Sequence, residues 1–228
     1  MKVDLTKIKN KSLAGADLTR ASFFLANLSG VDLSDVVLAE TNFLRTELVG
    51  VDFTATKPTA AIFAFSNLTN SNFESVDMSP REFYSKSFEN KSYLAPKQED
   101  IESGDFNQSK FVGEVFGDVL DNIHVTSITV SGNDLDLEYT FINNFTYANL
   151  ENANFKNAIL LFTKFSSANL TNADLSGADL RKAFFNNADL INANLQGADL
   201  TGADFTGADL SYATYDQNTI LNCIGHHI

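Results

Sequence analysis

The side chains best suited to catalysis or metal binding are few and scattered. His226 and His227 adjoin each other, His124 is distant from both, and Cys223 is the one cysteine. A transition-metal site needs three or four donors that converge, and adjacent histidines in a tail are more often solvated. One cysteine cannot close an internal disulfide. No Ser, His and Asp arrangement, Gly-rich phosphate loop or Cys/His cluster stands out. Carboxylates are abundant, but Asp174, Asp179, Asp189, Asp199 and Asp209 fall at a fixed place in a short repeat, where a solvent-facing role accounts for them. The glycine-rich nonapeptide of calcium-binding β-rolls is absent. An ice-binding face would need ranked threonines, whereas the relevant column reads Thr171, Ile191, Ser211. No catalytic, cofactor or metal residue is therefore assigned, and no enzymatic activity is expected.

What positions all of these residues is the repeat. From Phe145 through Leu150, Phe155, Leu160 and Phe165 to Leu210 and Tyr215, every fifth residue is large and apolar. Two places earlier stands a small one, usually Ala. A period of five rotates successive residues by roughly 140° on an α-helix, spreading them round the axis. On one long strand it would alternate them between faces. The chain must turn a corner in each repeat, so that each Ala and Leu pair again points inward.

Aromatic spacing gives the number of corners in a circuit. Phe145, Phe165, Phe185 and Phe205 recur every twenty residues, as do Phe23, Phe43, Phe63 and Phe83, and also Phe53, Phe73 and Tyr93. Twenty residues is four repeats. The expected structure is a square coil with these rings stacked as inward ladders and successive turns at about 4.8 Å.

Ala173-Asp174-Leu175-Ser176-Gly177 and Ala198-Asp199-Leu200-Thr201-Gly202 resemble the units of the pentapeptide repeat family. The resemblance implies an all-β fold, a right-handed quadrilateral β-helix. It also implies one functional possibility, because some members imitate duplex DNA, bind type II topoisomerases and protect gyrase from quinolones. Those members generally dimerise through an apolar C-terminal helix, for which Leu221 to Ile228 is too short.

The repeat divides the chain. Residues 1–93 form a first regular run in which Pro58, at a large position, suggests a bulge or loop. Residues 145–228 form a second run with a short closing segment. In between, residues 94–144 are irregular, with Arg81 and Lys86 already occupying small-residue sites and Pro80 and Pro96 bracketing the change. Degraded coils with a loop near 94–100 are preferred there. The alternative is a projecting hairpin of Ile128-Thr129-Val130 and Leu135 to Tyr139 about Ser131 to Asp134. One continuous solenoid domain is expected.

The chain of 228 residues carries a formal charge of −13, which argues against direct nucleic-acid binding and against anionic membranes. The first residues lack an apolar signal-peptide core, so a cytoplasmic location is expected. The acidity is concentrated: residues 94–144 hold ten acids and two bases. Glu99, Asp100, Glu102, Asp105, Asp118, Asp121, Asp134, Asp136 and Glu138 form a candidate interaction surface, read either as solubilising loops or as a dock for a basic partner. The expectation is a non-enzymatic scaffold for a protein partner, without a cofactor, monomeric or weakly dimeric. The DNA-mimicking topoisomerase binder is the alternative.

Overall fold

The computed structural model describes residues 12–80, 83–88, 123–131 and 134–225. They belong to two compact units, one made of Met1–Ser79 with Ile142–Ile228 and the other of Pro80–Phe141.

In the first unit the residue before an inward Leu or Phe commonly makes a parallel bridge one circuit on, as in Ser12 with Asp32, Asn42 with Ile62 and Asp174 with Asn194. Each corner is a four-residue turn. The amide of the small residue donates to the carbonyl of the preceding large one, for example Ala21 N to Leu18 O at 2.9 Å and Ala178 N to Leu175 O at 3.2 Å. The third turn residue is left-handed, with φ of 60° at Arg20, 57° at Asn152 and 66° at Gly177, the mark of a type II turn. Gly and Asn suit that conformation, whereas other side chains strain it by about 1–2 kcal/mol.

The Asp or Asn before each large residue has a use beyond solvation. Its carboxyl or amide oxygen accepts the backbone N–H two residues on, as in Thr19 N to Asp17 Oδ1 (3.0 Å), Ser176 N to Asp174 Oδ1 (2.9 Å) and Thr201 N to Asp199 Oδ1 (3.0 Å). These are Asx turns, which secure the corner. Nearby hydroxyls reinforce them: Thr19 Oγ1 donates to Asp17 at 2.5 Å, and Ser34 Oγ and Ser12 Oγ both donate to Asp32. The Thr19 hydroxyl, then its amide, holds the Asp17 carboxyl below its ordinary value, and the hydroxyl and amide of Ser34 followed by the Ser12 hydroxyl do the same to Asp32.

The interior is filled. Phe23, Phe43, Phe63, Phe145, Phe165, Phe185 and Phe205 stack in one ladder, with centroid spacings of 4.7–5.4 Å. Phe53, Phe73 and Phe155 stack in a second. The two ladders meet edge to face, as in Phe63 with Phe73 at 5.9 Å and 87°, an arrangement favoured by the ring quadrupoles. Small residues at the alternate inward sites leave room for them; at two of the Thr sites the hydroxyl donates to a backbone carbonyl, Thr41 to Leu18 O and Thr46 to Phe23 O, each at 2.9 Å.

Two prolines have opposite consequences. Pro58 is buried at a large position without a bulge, contrary to expectation, because its fixed negative φ fits there and only an N–H is lost. Among the described residues Lys57 still bridges Val37, and no bridge from Lys57 to Asp77 follows. Pro80 instead falls in the corner column of Arg20, Glu40 and Ala60, whose φ values are 54–60°. Proline cannot adopt that conformation, and at Pro80 the chain leaves the coil.

It returns 62 residues later with the coil in register. Ile62 bridges Asn144 and Asp77 bridges Ile159, so residues 80–141 are inserted at one corner. Asn143 splices the break. Its buried amide donates from Nδ2 to Met78 O at 2.8 Å and accepts the Ala61 N–H on Oδ1 at 2.9 Å. A side chain thereby joins backbone groups of the departing chain and of the coil before it.

The inserted unit contains three strands, β1 Phe83–Phe88, β2 Ile123–Ser131 and β3 Asp134–Phe141. They form an antiparallel sheet of order β1-β3-β2, with a bulge between Val125 and Ser127. This corrects two expectations. The described part of the centre is a sheet containing the hairpin, not degraded coils, and the interruption runs from Pro80 to Phe141, not from 94 to 144. Phe83 is not a rung of the ladder: it begins β1, where its backbone pairs with Thr140 of β3, and Phe145 stacks on Phe63 at 4.8 Å.

Replacing Leu180, wholly buried, by Ala should lower the unfolding free energy in urea by about 2–5 kcal/mol, while Asp174→Ala, which loses one turn bond, should cost about 1 kcal/mol. Asn143→Leu should cost about 1–3 kcal/mol by orphaning two buried backbone groups, whereas Ser71→Ala should be nearly neutral, because the buried Ser71 hydroxyl has no partner. Asp17 and Asp32 have folded values below their unfolded ones, so their contribution is complete above the ordinary Asp range and is lost as pH falls. The urea midpoint should drop below about pH 4, and Asp17→Asn with Asp32→Asn should flatten that fall.

Candidate interaction surfaces

A filled interior leaves the outer walls for recognition. Each wall carries three outward positions per coil: the bridging residue and the two central turn residues. Along the described column Ser22, Asn42, Ile62, Asn144, Lys164, Phe184, Asp204 and Ile224, seven steps give a length of roughly 34 Å. The rod is shorter than a count of repeats across the whole chain would suggest, because the insertion adds nothing to it.

Among the candidate acidic residues, Glu99, Asp100, Glu102, Asp105, Asp118 and Asp121 lie outside the described residues. Asp134, Asp136 and Glu138 occupy alternate positions of β3, the central strand. In register they face Ser131, Thr129 and Ser127 of β2, and Asp136 and Glu138 also face Ser87 and Ser85 of β1. The sheet thus groups three of the nine acids among hydroxyl-bearing positions, on a strand whose intervening residues are Leu135, Leu137 and Tyr139.

The coil walls hold further polar features. Arg181 Nη2 contacts Asp179 Oδ2 at 2.7 Å, and its Nε lies 3.9 Å from Asp199. Arg20 and Glu40 pair at 2.8 Å in exposed positions, an arrangement of small energetic value. Asparagines form amide ladders, with Asn172 Nδ2 donating to Asn152 at 3.2 Å and Asn192 Nδ2 to Asn172 at 3.3 Å. Ordered stacks of identical amides brace the wall and present no convergent chemistry.

No group of three or more His, Cys, Asp or Glu placed to hold a metal occurs among the described residues. His124 lies in β2, and His226 and His227 fall outside the described residues. Cys223 is half-buried and burial pushes its thiol up, which disfavours the reactive thiolate. No helix of the described residues is long and apolar enough to cross a membrane.

One surface feature was missed in the sequence. Phe65 and Tyr147, at left-handed corner positions, stack on the outside of the coil at 4.8 Å, and the Arg45 guanidinium lies 5.5 Å from the Phe65 centroid. The signal was available in the apolar residues at two corner sites one circuit apart, but only once the insertion is removed do 65 and 147 become neighbours.

Rfr23 from the cyanobacterium Cyanothece 51142 is 38% identical over 34% of this chain and 56% of its own, with a TM-score of 0.31. HetL from Nostoc sp. strain PCC 7120, involved in heterocyst differentiation regulation, is 21% identical over 96% of this chain and 86% of its own, with a TM-score of 0.33. QnrB1, a plasmid-mediated fluoroquinolone resistance protein, is 14% identical over 90% of both chains, with a TM-score of 0.37. The chain covers little more than half the length of Rfr23, and these superpositions carry no argument about role. No curated protein matches the sequence significantly. The family model for pentapeptide repeats matches eight copies, spanning residues 10–54 and 144–214 in overlapping segments. With over half of the chain matched and the backbone wound as a square coil, the protein belongs to the pentapeptide repeat family, whose fold is the right-handed quadrilateral β-helix.

Proposed function

We propose that the protein is a non-enzymatic scaffold for protein–protein interaction and that its acidic insertion is the surface it displays. The observation that supports this is the splice at Asn143. The coil runs through the interruption in register, with Phe145 on Phe63, so the rod carries residues 80–141 without its own packing being altered. Pentapeptide repeat proteins are generally non-enzymatic scaffolds, and a filled coil lacks the concave, convergent site that catalysis requires. With ten acids against two bases in residues 94–144, the complementary partner is a basic protein surface. The site of action would be the cytoplasm.

The alternative, imitation of DNA toward a type II topoisomerase, rests on the charge of −13. It is weakened by a second regular run with only eight acids against four bases and by the modest rod length.

A pull-down from the native host should recover a basic partner with wild type. Recovery should fall sharply when Asp134, Asp136 and Glu138 are replaced by Asn, Asn and Gln together with amide substitutions at the other six acids. Unchanged recovery would refute the acidic dock, and inhibition of gyrase supercoiling by micromolar protein would favour the DNA-mimic reading instead.

A further inference from the structure

One wall of the coil differs from the other three in charge. Its outward positions, from Ser22 through Asn187 over six coils, include no Asp or Glu, although the chain carries 29 acids. They include two bases, Arg45 and Lys164. The same wall bears exposed apolar residues in the coils on either side of Arg45. Phe24, Leu25, Phe65 and Tyr147 are each 46–56% exposed, and Leu44 lies between them. Among the described residues, apart from Ile159, the other exposed large apolar residues fall within Tyr212–Ile224, in the last coil.

We propose that this wall docks an extended peptide segment in which apolar residues flank a carboxylate. Arg45 sets the charge. The Arg45 guanidinium carbon lies 5.5 Å from the Phe65 ring centroid, and its planar fork of N–H donors is the group that takes a carboxylate in two parallel hydrogen bonds. No acid among the described residues pairs with Arg45. The external Phe65–Tyr147 stack offers apolar contact on one side of it, and Phe24 and Leu25, one circuit earlier, on the other.

Size selects a peptide over a second copy. Six coils span about 24 Å and one wall is about 10 Å wide, so the footprint is roughly 240 Å², far under the ~800 Å² per partner of a stable dimer interface. An extended segment of about seven residues matches the length. This surface lies wholly in the coil unit and prefers the opposite charge from the acidic insertion, so its failure would leave the scaffold reading intact.

The test uses the full chain and an array of synthetic heptapeptides with Leu, Ile or Phe around a central Asp or Glu, followed by fluorescence anisotropy on the members that bind. Saturable binding is expected, weakened about tenfold or more by the amide analogue of the peptide, by Arg45→Glu, and by Phe65→Ser with Tyr147→Ser. Asp52→Asn, on the opposite wall, should change nothing, and thermal melts should show that all variants remain folded. The proposal is overturned by an array with no saturable binder, by equal binding of the amide analogue, or by binding that survives Arg45→Glu. It is also overturned by oligothymidylate binding to the same wall, or by a wild-type dimer in light scattering that Phe65→Ser with Tyr147→Ser dissociates.

Discussion

The interior of the coil imposes one constraint from which the rest follows: each inward side chain must fit against the one a circuit before it and the one a circuit after it. Neighbouring coils stand only about 4.8 Å apart, so a rung has no depth in which to hide a misfit. Rings satisfy the constraint by stacking, and the two phenylalanine ladders lock at right angles because each can offer an edge to the other's face. Small residues at the alternate sites then become obligatory. The Asx turns and left-handed corners serve the same end by returning the chain to the next wall at the correct phase.

The same constraint explains how a 62-residue excursion is tolerated. An insertion placed within a wall would displace a rung, whereas one placed at a corner needs only a replacement for the turn bonds it removes. The Asn143 amide supplies that replacement with one donor and one acceptor, both satisfied. Recognition can therefore reside in the inserted chain or on the outer walls while the interior stays invariant. The ladder is broken in sequence and continuous in space.

Much of this was legible in the chain. Repetition identified the coil because each of its positions is over-determined by many copies, and the fold needed no distant contact to be inferred. Phe83 misled because a five-residue step also occurs by chance within strands: Phe83 and Phe88 are the two ends of β1. The discriminating signals were Arg81 and Lys86 at small-residue sites and, above all, Pro80 at a corner that demands positive φ. Pro58, a similar-looking blemish, is harmless because its position does not demand it. Asn143 carried no sequence signal, since an asparagine is ordinary in these repeats and its role depends on what the fold places beside it. The acidic surface was recognisable as composition, but its arrangement depends on strand pairing, and only Asp134, Asp136 and Glu138 acquire a register from β3. The Phe65–Tyr147 stack could not be seen until the insertion was excised.

The central claim is continuity of the filled interior across that insertion, and the most direct measurement is a nuclear Overhauser experiment on protein with selectively labelled phenylalanine, assigned by single Phe→Leu substitutions. The account predicts ring-to-ring cross-peaks between Phe63 and Phe145, matching the 4.8 Å centroid spacing, and between Phe145 and Phe165. Cross-peaks from Phe63 to Phe83 in their place would show that the coil continues through the centre of the chain, and would contradict it.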